Sequence, residues 1–228
     1  MKKTLYKNSN KIIGLIYIII GLFLIVTNGV NVYAEYSNEK KLLTSFYNND
    51  KDIQEIEEMT VTDSNNVVKT TTVTDKKDYS VVKTTDYIKD SVLDEYIAVV
   101  KIPKINLEKG LFSKTSKYND VEHNIMIHEK SDNPTVDKGN VILVAHSGTA
   151  EISFFKRLNE LVIGDNTEIY YHGKKYTYVV TNIYEVDKTG TVEIKRDNDK
   201  KTLTMITCKH GTNKQIVVIS ELQKTSEY

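Results

Sequence analysis

The chain has 228 residues, with 31 basic and 31 acidic side chains, one cysteine and no tryptophan. This balance gives no sign of nucleic-acid binding, which usually shows as a basic excess. A single cysteine excludes an internal disulfide and a cysteine-built zinc or iron–sulfur site. In an exported chain such a thiol is either a small buried hydrophobe or a catalytic group, and composition alone favours the former.

The N-terminal segment is apolar. Residues 12–26 read IIGLIYIIIGLFLIV, and no charge follows them before Glu35. A spanning helix needs roughly 20 apolar residues. We therefore predict a cytoplasmic tail at 1–11 and a transmembrane anchor at 12–33, with the rest of the chain outside the cell membrane because lysines precede the run. The alternative is a signal peptide, for which residues 32–34 resemble a cleavage site.

A polar stretch without proline or glycine follows at 34–95. A patchy apolar stripe over 40–59 indicates a helix. Beyond it, VTDSNNVVKTT at 61–71 is echoed by VTDKKDYSVVKTT at 73–85. Because Thr and Val favour extended conformations, we interpret the stretch as a stalk that holds a folded domain away from the bilayer. A regulatory segment that folds over that domain is the alternative.

The remaining residues, 96–228, predict a mainly β domain. A strand, a kink at Pro103 and a second strand fit 97–108. Apolar residues at helical spacing predict a helix over 151–161. Further strands are predicted at 140–146, 167–172, 175–186, 202–207 and 215–222. Because helices do not alternate with strands, a closed β-barrel fits better than a doubly wound parallel sheet.

Two reactive side chains follow buried strands. His146 comes directly after NVILVA, and Cys208 comes directly after TLTMIT. Strand ends are a usual place for reactive groups, because rigid scaffold there meets loop. A thiol attacks well only as the thiolate, which a nearby imidazole can supply. The pattern predicts a catalytic pair if the fold brings the two together, but it is a weak signal by itself.

Several segments resemble the sortase family in the right order. They are VKIPKIN at 100–106, AHSGT at 145–149, FFKRLNELVIGD at 154–165, TLTMITC at 202–208 and IVVISEL at 216–222. The resemblance implies a closed eight-stranded sortase-like barrel with one or two short helices. It also implies a cysteine transpeptidase. The thiolate would attack an LPXTG-like sorting signal of an exported protein, and the thioacyl intermediate would pass to an amine on a cell-wall precursor or a pilin.

One position departs from the family. Sortases carry an Arg at the start of the closing strand, where this chain has Lys214. Lys214 keeps a positive charge for an oxyanion but loses the planar fork of Arg, and a solvated strand-edge charge is the alternative. Ser147 and Thr207, which flank His146 and Cys208, are predicted to contact the substrate or the oxyanion.

No metal site or cofactor is predicted. His123 and His128 lie at i and i+5, which suits no single helical face, and no acidic cluster argues for calcium. Two other functions stay open. One is a related cysteine hydrolase that cleaves without transfer. The other is a membrane-tethered barrel that acts as a binding module, which the departure at Lys214 supports.

Overall fold

The computed structural model describes residues 2–62 and 95–228. Its first element, α1 (Lys2–Thr62), is a continuous helix of 61 residues. The part Ile13–Asn49 is long and apolar enough to cross a membrane, a criterion that a signal sequence also meets. The predicted anchor and the helix predicted at 40–59 therefore belong to one element. The predicted stalk from residue 63 to residue 94, with most of the sequence echo, lies outside the described residues.

Eight strands form one sheet in the second half of the chain. They are β1 (Tyr96–Ile102), β2 (Leu107–Phe112), β3 (Met126–Ile127), β4 (Asn140–Val144), β5 (Asn166–Tyr171), β6 (Lys174–Asp187), β7 (Thr202–Lys209) and β8 (Lys214–Glu227). Their order is β2-β1-β5-β6-β8-β7-β4-β3. Among the described strands, β4 and β7 form the one parallel pair.

The sheet curls into a nearly closed barrel. Its two end strands, β2 and β3, are not paired in the sheet order. The side chain of Asn124, just before β3, bridges the seam by donating to the Gly110 carbonyl on β2 at 2.8 Å. The predicted mainly β, eight-stranded barrel is confirmed, with a side-chain bridge where full closure would have strand pairing.

Local residues explain two of the connections. Pro103 opens a short 3₁₀ turn after β1, and Asn106 closes it with φ 53°, which confirms the predicted strand, kink and strand. Between β5 and β6, His172 has φ 48° and Gly173 has φ 67°. Two positive φ angles are the requirement of the two-residue turn that suits a twisted hairpin, so the predicted hairpin is confirmed as well.

The α-helix predicted at 151–161 does not form. The segment consists of tight turns that end in a 3₁₀ helix at Leu158–Glu160. In these turns Leu158 N–H donates to the Phe155 carbonyl, three residues earlier, at 3.0 Å. Phe155, Leu158 and Leu161 are all buried. Because these residues recur every third position, their spacing matches the period of a 3₁₀ helix rather than that of an α-helix.

Strand residues near the predicted site alternate between two apolar clusters. We call the larger one, inside the barrel, the inner cluster; it includes Leu143 of β4, Met205 of β7 and Ile216 and Val218 of β8. The outer cluster consists of Ile142, Ile206, Val217 and Ile219. This alternation identifies which side chains face which side of the barrel wall.

Candidate active site

The parallel strands β4 and β7 have a constant register. Their ladder pairs Val144 with Ile206, and Ala145 N–H extends it by donating to the Ile206 carbonyl at 3.3 Å. Two residues beyond the last ladder pair, the same register makes His146 level with Cys208. Level residues of adjacent strands lie about 4.8 Å apart and project from the same face. The fold thus brings together the two strand ends that the sequence singled out.

Cys208 lies inside β7, whereas the sequence predicted that it follows the strand. β7 continues to Lys209 because its pairing with β8 continues that far. Cys208 is a half-buried free thiol. It lies two residues beyond Ile206, which belongs to the outer cluster. The thiol therefore projects from the outer face of the barrel.

His146 has a carboxylate partner that the sequence did not reveal. Its Nε2 lies 3.2 Å from Glu122 Oε1, with the imidazole 38% exposed and the carboxylate 71% exposed. Nδ1 is then the ring nitrogen left for the thiol. Over residues 2–62 and 95–228 no hydrogen bond joins Cys208 to His146. In enzymes such bonds are often loose until substrate is bound.

The two flanking residues lie in different surroundings. Ser147 is half-buried beside His146. Thr207 is only 2% exposed, and its hydroxyl donates to the Ala145 carbonyl at 2.7 Å. Thr207 therefore connects the ends of β7 and β4 from inside the barrel. The substrate contacts expected of Ser147 and Thr207 remain predictions.

The β7–β8 register separates Lys214 from Cys208. It pairs Lys209 with Lys214 and Cys208 with Gln215. Because directly opposed residues in antiparallel strands share a face and successive residues alternate, Lys214 projects from the face opposite to that of the thiol. The position level with Cys208 belongs to Gln215, which sequence reasoning missed.

Lys214 also has a partner on its own face. Its Nζ lies 3.7 Å from Glu185 Oε2 on β6. Lys209 donates a hydrogen bond to the same carboxylate, and this bond is the main cause that lowers the pKa of Glu185 below its ordinary 4.5. The ammonium group of Lys214 thus has a carboxylate partner in this structure, and the oxyanion role expected of Lys214 stays a prediction.

The outer cluster, whose Ile206 lies two residues before Cys208 on β7, is buried. The connection between β6 and β7 lies across part of it, with Val192 and Ile194 packed against the cluster. Tyr184 fixes this connection because its hydroxyl donates to the Glu193 carbonyl at 2.8 Å and accepts from Lys195 N–H at 2.9 Å. This connection therefore covers the part of the barrel wall that carries the outer cluster.

The other histidines lie apart from this site. His123 bonds to Asp120 at 2.9 Å, which lowers the pKa of that carboxyl. His128 accepts from a backbone N–H, His172 lies in the hairpin turn and His210 is exposed. The described part of the chain contains no group of three or more His, Cys, Asp or Glu suited to a metal ion.

These features define a class of protein: a β-barrel with a thiol and an imidazole level at the ends of two parallel strands. The family model of the sortase domain matches residues 100–223, and the chain belongs to the sortase family. The predicted family is thus confirmed. The chain is 29% identical over 110 residues to Sortase D of Bacillus subtilis (strain 168), covering 48% of this chain and 52% of that protein. It therefore spans about half the length of this curated relative.

Solved structures share the fold. Sortase A of Listeria monocytogenes is 23% identical with a TM-score of 0.50, covering 59% of this chain and 92% of that one. Pilus Island 1 Sortase C2 of Group B Streptococcus is 25% identical with a TM-score of 0.51, covering 57% and 76%. A Clostridium perfringens Sortase D5 transpeptidase is 23% identical with a TM-score of 0.50, covering 64% and 90%.

Proposed function

We propose that this chain is a membrane-anchored cysteine transpeptidase that cleaves an LPXTG-like sorting signal and joins the exported protein to an amine acceptor. The acceptor is a cell-wall precursor or a pilin. The observation that carries this proposal is the β4–β7 register, which makes His146 level with Cys208 on one face. Membership of the sortase family supports it.

The first half-reaction forms the thioacyl intermediate. His146 takes the proton of the Cys208 thiol, and the thiolate attacks the scissile carbonyl carbon. A sulfur–carbon bond forms, and the carbonyl electron pair moves onto oxygen. When the carbonyl re-forms, the carbon–nitrogen bond breaks, and the leaving amine takes the proton from the imidazolium of His146.

The second half-reaction reverses these steps with a new amine. The acceptor nitrogen attacks the thioacyl carbon and gives a proton to His146. Collapse of the tetrahedral intermediate forms the new amide and expels the thiolate of Cys208. Water in place of the amine gives hydrolysis, so transfer requires that the acceptor reach the intermediate first.

The same proposal includes the predicted topology. We place residues 1–11 in the cytoplasm, 12–33 in the cell membrane, 34–95 in an extracytoplasmic stalk and 96–228 in the catalytic domain. A helix apolar enough to span supports this arrangement. Protease protection of the N-terminus in sealed cells, with cleavage of the barrel from outside, tests the orientation.

Incubation of the detergent-solubilised full chain with a set of LPXTG-like peptides tests the chemistry. Mass spectrometry should detect a thioacyl adduct on Cys208, and an added oligoglycine amine should give a ligated product. Cys208→Ala and His146→Ala should abolish both products, whereas His210→Ala, a matched change of an exposed histidine, should not.

The alternatives give different results in this experiment. An adduct that water resolves while every amine is ignored indicates a hydrolase. Peptide binding without any adduct in the unmodified chain contradicts the proposal and indicates a binding module.

A further inference from the structure

Three adjacent strand ends present polar or reactive side chains on one face of the barrel. The sheet order is β8-β7-β4 at this point. Cys208 of β7 is level with Gln215 of β8 and, by the extended register, with His146 of β4. The thiol is therefore flanked by an imidazole on one side and a carboxamide on the other.

The burial pattern supports this assignment of faces independently of the ladder. Ile216, next to Gln215, lies in the inner cluster, and Val217 lies in the outer cluster. Counting back by two from Val217 assigns Gln215 to the outer face, the face of Cys208. Two observations, register and burial, thus give the same result.

The carboxamide of Gln215 is available. The side chain is half-buried, and within the described residues its amide makes no hydrogen bond. A primary amide carries two N–H donors. Lys214, in contrast, lies near Glu185 on the opposite face, so its ammonium group does not face the thiol.

We infer that Gln215 is a catalytic residue that donates a hydrogen bond from Nε2 to the oxyanion formed when Cys208 attacks the scissile carbonyl. The inference rests on the proposed function. It assigns to a neutral amide the role in which the family has Arg and in which the sequence suggested Lys214. Side-chain amides serve as oxyanion donors in other acyl-transfer enzymes.

The scissile carbonyl oxygen carries a negative charge only transiently during the reaction. The carbonyl oxygen gains a negative charge only as the sulfur–carbon bond forms and loses it when the carbon–nitrogen bond breaks. A donor beside the thiol stabilises that oxygen in the transition state more than in the ground state, which is the condition for raising the rate. Loss of one such donor lowers kcat by about 10²–10³-fold.

The test compares Gln215→Ala, Gln215→Glu and Gln215→Arg in the full chain, with Lys214→Ala as the matched control on the next residue. Peptide cleavage reports the step with an oxyanion. Alkylation of Cys208 by iodoacetamide reports a reaction of the same thiol that forms no oxyanion, so it detects damage to the fold or to the Cys208–His146 pair.

We expect Gln215→Ala to lower kcat/KM for cleavage by about 10²–10³-fold while leaving the alkylation rate unchanged. Gln215→Glu should lower cleavage as well, and its negative charge beside the thiolate should also slow alkylation. Gln215→Arg, which restores a donor, should recover much of the loss. Lys214→Ala should change cleavage by less than about threefold, because exposed ion pairs contribute little.

A substrate with sulfur in place of the scissile carbonyl oxygen sharpens the comparison. Sulfur accepts hydrogen bonds weakly, so the difference between the wild-type chain and Gln215→Ala should shrink with this substrate. A difference of the same size with both substrates would overturn the inference.

Other outcomes separate the two proposals. Suppose that the unmodified chain forms a thioacyl adduct and that Gln215→Ala cleaves the peptide as fast as the unmodified chain. The inference about Gln215 is then overturned, while the proposed function stands. Equal losses of cleavage and alkylation in Gln215→Ala would also overturn it, since they indicate a structural role. If the unmodified chain forms no adduct, the proposed function fails first and this inference with it.

Discussion

Replacement of Thr207 by Val tests how the two reactive strand ends are held together. The Thr207 hydroxyl, which is buried, donates to the Ala145 carbonyl at 2.7 Å. That carbonyl immediately precedes His146, and Thr207 immediately precedes Cys208. The hydrogen bond therefore connects the backbones that carry the two reactive side chains.

The expected loss of stability follows from the burial. A buried acceptor that loses its donor costs about 1–3 kcal/mol. The methyl group that replaces the hydroxyl regains about 0.8 kcal/mol by its burial. We therefore expect Thr207→Val to lower the free energy of unfolding by up to about 2 kcal/mol.

Urea unfolding of the detergent-solubilised chain, followed by the near-ultraviolet circular dichroism of its tyrosines, measures this loss. Thr225→Val is the matched control, because Thr225 is exposed on β8 and such surface changes usually stay within about 0.5 kcal/mol. Thr207→Ser, which keeps the hydroxyl, should retain more of the stability and of the peptide-cleavage rate than Thr207→Val. Equal stabilities of Thr207→Val and Thr225→Val would refute the reasoning.

Three further predictions concern the barrel and its rim. Gly110→Ala should destabilise the fold by about 1–3 kcal/mol in thermal unfolding, because a Cβ there would lie 2.0 Å from the Tyr96 ring. Asn140→Leu should cost about 2–4 kcal/mol, because its buried Oδ1 accepts from two β7 threonine hydroxyls at 3.0 and 2.9 Å. Lys209→Ala should raise the pKa of Glu185 towards 4.5 in a carboxyl-carbon NMR titration. Because its pKa is lowered, Glu185 stabilises the fold at pH values above its ordinary pKa of 4.5. This contribution is lost as the pH falls through the lowered pKa.

Each of these predictions has a control of the same chemistry. Lys214→Ala should raise the pKa of Glu185 less than Lys209→Ala does, since Lys214 contributes less than Lys209 to the lowered pKa. A larger rise with Lys214→Ala would contradict the assignment of Lys209 as the main partner of Glu185. Asn166→Leu, at an exposed position, should be nearly neutral, and a cost equal to that of Asn140→Leu would disprove the buried-acceptor argument. Gly148→Ala should destabilise the fold less than Gly110→Ala, because the added Cβ would lie 3.3 Å from its nearest atom.

The strands were predictable because their patterns have a simple physical origin. The run VILV at 141–144 carries an apolar residue at every position, as expected of a strand that is buried on both faces. The ends were less predictable. β8 continues to Glu227, well past the predicted end at residue 222, because its polar last residues still pair with β6. Backbone pairing of this kind leaves no hydrophobic signal in the sequence.

The segment at 151–161 shows how a pattern can be read with the wrong period. Apolar residues at every third position lie on one face of a 3₁₀ helix, which has 3.0 residues per turn. Over a short segment they also lie near one face of an α-helix, which has 3.6 residues per turn. The Phe155 N–H donates to the His146 carbonyl at 3.0 Å, which ties the segment to the strand end by a contact distant in sequence. Such a tertiary bond is not visible in local spacing.

The candidate site also contains residues that the sequence indicates and residues that it does not. Cys208 and His146 could be predicted because each ends an apolar run. Gln215 could not, because its face depends on the register of the β7–β8 hairpin, and a shift of one residue exchanges the two faces. Glu122 lies in an irregular segment before β3, where no periodicity indicates which side chain turns towards the imidazole.

The parallel pairing of β4 with β7 also has a consequence for the timing of folding. Parallel neighbours cannot be joined by a tight hairpin, and here β5 and β6 intervene in the chain. Contacts between residues so far apart in sequence form slowly. We therefore expect the thiol to meet its imidazole late, when the chain between the two strands has already folded. A newly made chain would thus carry a cysteine without its imidazole neighbour until the barrel is nearly complete.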